Sequence, residues 1–328
     1  MILVTGAGGF LGSSLVARLH EAGHDVRAVL RNDDHARLLP PDVETVLGDI
    51  RDKPRMEQAA AGCETVIHLA GKAHALDEQG PDQEYFEVNV QGTRNLLECA
   101  AVSGAKRLLF ISTVKVFGED TEGCIDETAS PAPQTPYGRS KWEAERLVAE
   151  YARKVGIKAV SLRLPLVYGP TNKGNLYRMI AAIDRGKFPP LPQLSTRRSM
   201  LDAKNFVRAV QAWLERGHFL QPAYIVTDAQ PYSTTAIYEQ ICLGLGKPVP
   251  TWRVPLGILK MIAAAGDTVQ AITKQETPIT SATLNKLVGS ACYSPQAFIR
   301  ETGYRPEHSF NDAVPELIDH YRKCRKTC

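Results

Sequence analysis

The chain has no uninterrupted apolar run of the about eighteen residues that a membrane-spanning helix needs, so insertion into a membrane is not expected. Its most apolar late stretch, Val254 to Gly266, carries Lys260 in the middle and reads as a buried or amphipathic helix. An excess of one charge is also missing: 39 lysines and arginines against 36 aspartates and glutamates leave a formal net charge of +3, too even a balance for a nucleic-acid partner. The basic end, Arg322 to Cys328, reads as a solvated terminus. Cysteine is scarce, seven in 328 residues, with no C-x-x-C pair and no histidine at metal-ligand spacing, which argues against a zinc site and leads to the expectation of a reduced chain. Because a glycine-rich loop begins just after the first strand, no secretory leader is expected, and a cytoplasmic location follows. Repeats and low-complexity tracts are absent too, which leaves one large domain or two modest ones.

What the sequence does contain is alternation. Ile2 to Thr5 is a short apolar run closed by glycines, and Phe10, Leu11, Leu15, Val16 and Leu19 then recur at helical spacing until Gly23. Further strands are expected at 25–30, 44–47, 65–69 and 107–111, with helical patterns near 54–61 and 84–103. This βαβ order implies a doubly wound parallel sheet with helices on both faces and ligands outside the carboxyl ends of the strands. A helix near 140–155 and a strand at 159–164 precede a proline-rich stretch (Pro165, Pro170, Pro189, Pro190 and Pro192) that suggests excursions from the sheet. The helix 203–216 and strand 223–226 read as a return to it. The expected division is a dinucleotide-binding domain of 1–164 plus 200–228, and a smaller, mainly helical lobe of 165–199 plus 229–328.

Two patterns carry chemistry. In Thr5-Gly-Ala-Gly-Gly-Phe-Leu-Gly12, Gly6 permits the turn after the strand, Gly9 lets main chain approach a pyrophosphate, and Gly12 lets the helix pack close to the sheet. The helix N-terminus then faces phosphates. In Tyr137-Gly-Arg-Ser-Lys141 a tyrosine and a lysine lie at i and i+4, on one helical face. An ammonium beside the phenol is expected to bring its pKa down from about 10 towards neutrality, which would suit the pair to acid/base work. Taken alone, the same spacing is common on plain helix surface. Ser112 and Thr113 end the preceding strand, where a hydroxyl could share a substrate oxygen with the tyrosine or simply cap the loop. His68 reads as a packed structural histidine, and neither it nor His74 is assigned to chemistry.

These stretches, with GDIRD at 48–52, VIHLAG at 66–71, VNVQGTRNLLE at 88–98, PYGRSKWEAE at 136–145, LRLPLVYGP at 162–170 and GYRP at 303–306, resemble the extended short-chain dehydrogenase/reductase family over nearly the whole chain. These are the NAD(P)-dependent nucleotide-sugar epimerases, dehydratases and ketoreductases, built on a Rossmann-type sheet with a C-terminal substrate-binding lobe. The resemblance is strongest to UDP-N-acetylhexosamine 4-epimerases and UDP-N-acetylquinovosamine-type 4-ketoreductases of surface polysaccharide synthesis. It implies a nucleotide-sugar substrate and is compatible with a homodimer. Carried over position by position, it implies that Gly6, Gly9, Phe10, Leu11 and Gly12 hold the cofactor phosphates, Asp49 and Ile50 meet the adenine, Leu69, Ala70 and Gly71 run main chain past the cofactor, and Asn89 and Pro165 border it. Tyr137 becomes the acid/base and Lys141 its partner and ribose anchor. Thr113 supports the same substrate oxygen, with Ser112 in reserve. Asn175, beside Lys173, and Arg198 are implied on the substrate diphosphate.

Departures narrow the reading. Dehydratases place an Asp-Glu pair after the threonine, where this chain has Val114-Lys115, so a 4,6-dehydratase is not expected. NAD-specific members end the second strand with an acid; here Leu30 is followed by Arg31, which points to NADP over NAD unless Asp33 or Asp34 reaches the ribose. Two classes of function remain: hydride exchange at C4 of a UDP-hexosamine or its 4-keto-6-deoxy form, by epimerase or ketoreductase, and an NAD(P)-binding sensor without turnover.

Overall fold

The computed structural model describes residues 1–73, 82–172, 174–217, 219–273, 277 and 280–326; His74, Lys173 and Cys328 lie outside the described residues. In chain order the first half runs β1 (Ile2–Thr5), α1 (Phe10–Glu21), β2 (Val26–Leu30), β3 (Glu44–Leu47), α2 (Lys53–Ala60), β4 (Thr65–His68), α3 (Asp82–Phe86), α4 (Gly92–Val102), β5 (Arg107–Thr113), β6 (Cys124–Ile125) and α5 (Pro136–Val155). The second half runs β7 (Lys158–Leu164), β8 (Leu166–Tyr168), α6 (Asn175–Asp184), β9 (Met200–Asp202), α7 (Ala203–Glu215), β10 (Ala223–Ile225), α8 (Thr234–Leu245), α9 (Leu256–Thr273), α10 (Ser281–Val288), β11 (Cys292–Tyr293), α11 (Gln296–Thr302) and α12 (Phe310–Lys326).

Seven strands pair in the order β3-β2-β1-β4-β5-β7-β10, and every pairing between neighbours is parallel. The order reverses between β1 and β4, which opens a crevice at their carboxyl ends. Strand β1 is buried along its whole length, as expected for a strand with helices on both faces. On one face Leu15, Val16 and Leu19 of α1 join Phe206, Val210 and Trp213 of α7; on the other Met56 of α2, Leu96 and Leu97 of α4 and Val148 of α5 pack together. A third apolar cluster, including Tyr168, Ile180, Ile237, Ile241, Phe310 and Ile318, forms the core of the C-terminal helical lobe.

The lobe is pinned to the sheet by a polar knot. Asp228, buried just beyond β10, accepts hydrogen bonds from the Tyr168 hydroxyl at 2.7 Å, the Asn205 amide at 2.7 Å and the Asp202 backbone N–H at 2.9 Å. Burial still pushes its carboxyl up to about 6. A buried ion pair ties α5 to β7: Arg163 donates to both oxygens of Glu145, the shortest contact being 2.7 Å, and its guanidinium lies 4.8 Å from the Phe117 ring centroid.

The expectation of a reduced chain is corrected. Strands β6 and β11 pair in parallel with Cys124 opposite Cys292, and a disulfide joins them across 168 residues of sequence. That separation leaves no local spacing signal, since the two thiols meet only because the final lobe returns a strand beside the loop that follows β5.

Candidate active site

The glycine loop takes the shape its residues allow. Gly6 has φ of 71°, and a Cβ there would come within 2.7 Å of the Ala70 nitrogen; a Cβ on Gly12 would overlap the Gly6 carbonyl oxygen. The loop and the Leu69–Gly71 segment are therefore in main-chain contact. Gly9 caps α1 without any side-chain bond, so the first-turn N–H groups of Phe10, Leu11 and Gly12 face the crevice uncapped. This cradle suits a dinucleotide pyrophosphate. Phe10 itself turns towards Gly169, where an added Cβ would meet its ring at 3.0 Å.

Where the resemblance implies the adenine, Asp49 accepts two side-chain bonds from Arg51 at 2.8 and 2.9 Å, which hold its carboxyl below the usual range, and Arg31 adds a weaker pull in the same direction. Arg31, Asp33 and Asp34 are all exposed beyond β2, and Asn32 caps the short 3-10 turn by accepting from the Asp34 N–H at 3.0 Å. Ile50 is buried against Gly92. Asn89 lies in a π-helical turn between α3 and α4, an irregularity frequent at functional sites. Its amide accepts from the Lys72 N–H at 2.7 Å and donates to the Lys72 carbonyl at 3.0 Å and the Ser140 hydroxyl at 2.9 Å, which fixes the segment after Gly71 against α5.

Helix α5 is positioned by its N-cap. Thr135 accepts from the Gly138 N–H at 3.1 Å and Pro136 occupies the first turn, so Tyr137 projects at the helix start with Lys141 one turn on. The Tyr137 hydroxyl is hydrogen-bonded to Thr113, which also accepts from the Lys115 N–H at 3.2 Å. Ser112, one residue earlier, is buried with no hydrogen-bond partner for its hydroxyl. Thr113 and Tyr137 are thus brought together, while Ser112 does not join them. Lys141 is buried with its ammonium 4.1 Å from the Phe110 ring centroid, and a Cβ on Gly71 would lie 3.8 Å from its Nζ.

The electrostatics reverse the sequence expectation. Burial pushes the Tyr137 phenol up to about 12, against the lowering effect of its Thr113 bond. Burial also brings the Lys141 amine down to about 7, opposed by the charge of Glu145. Desolvation is the largest cause for both groups, with Lys141 buried against Phe110 and Tyr137 half-buried beside Tyr85. His68 is structural, with Nδ1 2.7 Å from the Thr5 hydroxyl and Nε2 3.0 Å from that of Thr93, and burial and the nearby Lys141 charge lower it to about 3.

The residues expected on the substrate lie further out. Asn175 begins α6 and lines a small cavity with Leu166, Tyr168, Pro170 and Tyr177. Arg198 bridges Tyr232 and Ala291 through its backbone and donates one guanidinium N–H to the Lys286 carbonyl, while its buried Nε has no hydrogen-bond partner. Lys115 is ion-paired with Glu119 rather than free in solvent. Pro165 is buried at the end of β7. Sequence reasoning missed the Asp228 knot, the Glu145–Arg163 pair and the disulfide. Glu145, four residues beyond Lys141 on the same helical face, carried a signal in its i+4 spacing.

With this geometry in view, the comparison with known proteins is specific: residues 2–226 match the NAD dependent epimerase/dehydratase family. The chain belongs to that family. This family, of the extended short-chain dehydrogenase/reductase type, includes NAD-dependent nucleotide-sugar epimerases and oxidoreductases. A UDP-glucose 4-epimerase of Vibrio cholerae is 32% identical over 266 residues, 78% of this chain and 79% of that protein. An N-acetyl-alpha-D-glucosaminyl-diphospho-ditrans,octacis-undecaprenol 4-epimerase of Escherichia coli O157:H7 is 28% identical over 321 residues, 97% of this chain and 94% of that one. The crystal structure of UDP-glucose 4-epimerase from Thermus thermophilus in complex with NAD superposes with a TM-score of 0.76 at 25% identity, covering 98% of each chain. The seven-stranded parallel sheet and the helical C-terminal region match those of UDP-sugar epimerase structures. Among the described residues, no helix is long and apolar enough to cross a membrane.

Proposed function

We propose that the protein is an oxidoreductase or epimerase acting at C4 of a sugar carried on a diphosphate, with a UDP-N-acetylhexosamine or its 4-keto-6-deoxy form as substrate and a role in surface polysaccharide synthesis. The observation that carries this reading is the bond between Thr113 and Tyr137 beside a buried Lys141, because a protein that only senses a dinucleotide has no use for a proton relay. The sheet-forming segments 1–164 and 200–228 hold the cofactor and 165–199 with 229–328 hold the substrate.

Gly6, Gly9, Phe10, Leu11 and Gly12 cradle the pyrophosphate, Asp49 and Ile50 border the adenine, and Leu69–Gly71, Asn89 and Pro165 line the nicotinamide side. Bound there, the dinucleotide supplies the hydride acceptor and donor. Tyr137 takes the proton from the C4 hydroxyl oxygen and returns it, Thr113 holds the same oxygen by a hydrogen bond, and Lys141 supplies part of the positive charge that the phenolate needs, the bound dinucleotide the rest. Arg198, with an unpaired Nε, and Asn175 hold the diphosphate. NAD is the cofactor of this reading, in keeping with the family and the Thermus thermophilus complex; the preference for NADP drawn from Arg31 has no support beyond that side chain. A second diphosphate carrier, the polyprenyl group named for the Escherichia coli relative, is favoured by the longer match to that protein, which spans 97% of this chain against 78% for the Vibrio cholerae epimerase.

The test is interconversion of UDP-hexosamine epimers, and reduction of a UDP-4-keto-sugar, by wild type and Tyr137→Phe. A loss of roughly 100-fold or more in kcat is expected for the variant. Full activity in Tyr137→Phe would sink the mechanism, and no turnover of either kind by wild type would favour the sensor. Stoichiometric cofactor consumption marks a reductase, and turnover without net supply marks an epimerase.

A further inference from the structure

Helix α9 buries one apolar face and leaves a second one bare. Leu259 and Ala263 are 2% and 0% exposed and belong to the C-terminal core. At about 100° per residue, Ile258, Met261, Ile262, Ala265, Val269 and Ile272 fall on one stripe roughly 100° wide, turned away from Leu259 and Ala263. Met261 is 69% exposed and Ile272 78%, and Trp252, just before the helix, is 63% exposed. Lys260 and Asp267 lie on a third face. A helix with apolar residues on both the buried and the solvent side is not accounted for by the fold's own core.

The surroundings of the helix start are basic. Arg185 and Lys187 are exposed on the turn after α6, Lys247 donates to the Asp184 carbonyl at 2.8 Å, Arg325 pairs with the Asp184 carboxylate, and Arg322 donates to the Leu245 carbonyl at 3.3 Å. The segment that carries Trp252 is held to this region, with the Val254 N–H bonded to the Pro190 carbonyl at 3.1 Å and Arg253 reaching the Leu191 carbonyl at 3.4 Å while pairing with Glu239 at 2.6 Å, so that among the described residues the unpaired charge is that of Arg185 and Lys187. Exposed tryptophan, an apolar stripe and flanking lysines and arginines are the composition of a helix that lies in the plane of a membrane interface.

We propose that α9 docks the protein on an anionic phospholipid surface, with the Ile258 to Ile272 stripe in the headgroup–acyl boundary and the basic residues near Trp252 against lipid phosphates. A second copy of the chain fits the face less well. The stripe is about 21 Å long and about 10 Å wide, a footprint of roughly 200 Å² against the roughly 800 Å² per partner of a stable dimer. A basic rim also favours anionic lipid over another copy of itself. The inference goes beyond the sugar chemistry and does not depend on it.

The full-length protein is floated with vesicles of phosphatidylcholine plus phosphatidylglycerol, and of phosphatidylcholine alone, while the emission of its three tryptophans is followed. Wild type is expected to float with the anionic vesicles and shift its emission to the blue, and Met261→Glu with Ile272→Glu to lower the bound fraction roughly tenfold or more. Trp252→Phe should remove the emission shift while leaving most of the flotation. Both substituted positions of the double variant are exposed, so its unfolding midpoint and its turnover of a water-soluble UDP-sugar without vesicles should match wild type. Absence of flotation at physiological salt overturns the inference, whatever the turnover. So does a wild-type dimer that the double variant converts to monomer, which would assign the stripe to a second copy.

Discussion

Replacing Lys141 with methionine should stabilise the protein while removing its activity, and the size of the gain should depend on pH in a specific way. The amine has an unfolded value of 10.5 and a native value of about 7. Between those values the unfolded chain binds more protons than the native one, so stability climbs with pH across that window and is flat below it. At pH 7 half of the native amines are charged, and the unfavourable contribution is about 4 kcal/mol; at pH 9 it is about 2 kcal/mol, and beyond 10.5 it vanishes. Methionine keeps the length of the stem and its packing on Phe110 but forfeits a cation–π contact of about 1 kcal/mol. The expected net gain is therefore about 3 kcal/mol at pH 7 and about 2 kcal/mol at pH 9, where the native amine is almost wholly neutral and has no cation–π contact to lose. Urea unfolding of cofactor-free protein, followed by circular dichroism at both pH values, measures the difference. A gap of the same size at pH 7 and pH 9, or a variant less stable than wild type at pH 7, would refute the argument that a desolvated ammonium is held in the site at a cost in stability.

The remaining structural claims make sharper contrasts. Glu145→Gln leaves the Arg163 guanidinium buried beside a neutral amide, and a loss of about 3 kcal/mol or more is expected in the same unfolding assay; a change under about 1 kcal/mol would mean that the pair is hydrated in solution. Alkylation of denatured, unreduced protein should leave Cys124 and Cys292 unmodified and recover them as one linked peptide pair by mass spectrometry, whereas Cys63, Cys99, Cys242 and Cys324 react. Alkylation of Cys124 in that experiment would show the bond to be absent.

What could be read from the sequence was local in origin. The alternation of short apolar runs with helical spacing placed β1, β2, β4, β5, β7 and β10 within a few residues, because a strand that is mostly buried has little freedom in composition; β3, a largely exposed edge strand, was placed by its position in the same alternation. The glycine loop was legible because Gly6 and Gly12 occupy positions where any Cβ would strike main chain. The π-turn at Asn89 was not, since the irregularity is set by the bonds of Asn89 to Lys72 and Ser140, both distant in sequence. Asp228 was missed because its partners come from two stretches far apart in the chain, Tyr168 in β8 and Asp202 with Asn205 at the start of α7.

The site's protonation shows most clearly why spacing is not enough. A tyrosine and a lysine at i and i+4 suggest a phenol eased towards ionisation, and in water that inference would hold. In the folded chain Lys141 is buried, so desolvation disfavours its own charge before it can act on the phenol, and Tyr137, bonded to Thr113, is pushed up to about 12 rather than down. The cofactor-free protein therefore rests with a protonated phenol and a half-charged amine at neutral pH. Phenolate formation then requires additional positive charge within the same apolar wall. In the proposed reaction that requirement would couple proton movement at Tyr137 to a dinucleotide held in the glycine cradle, and it follows from burial, which the sequence spacing of the two residues does not specify.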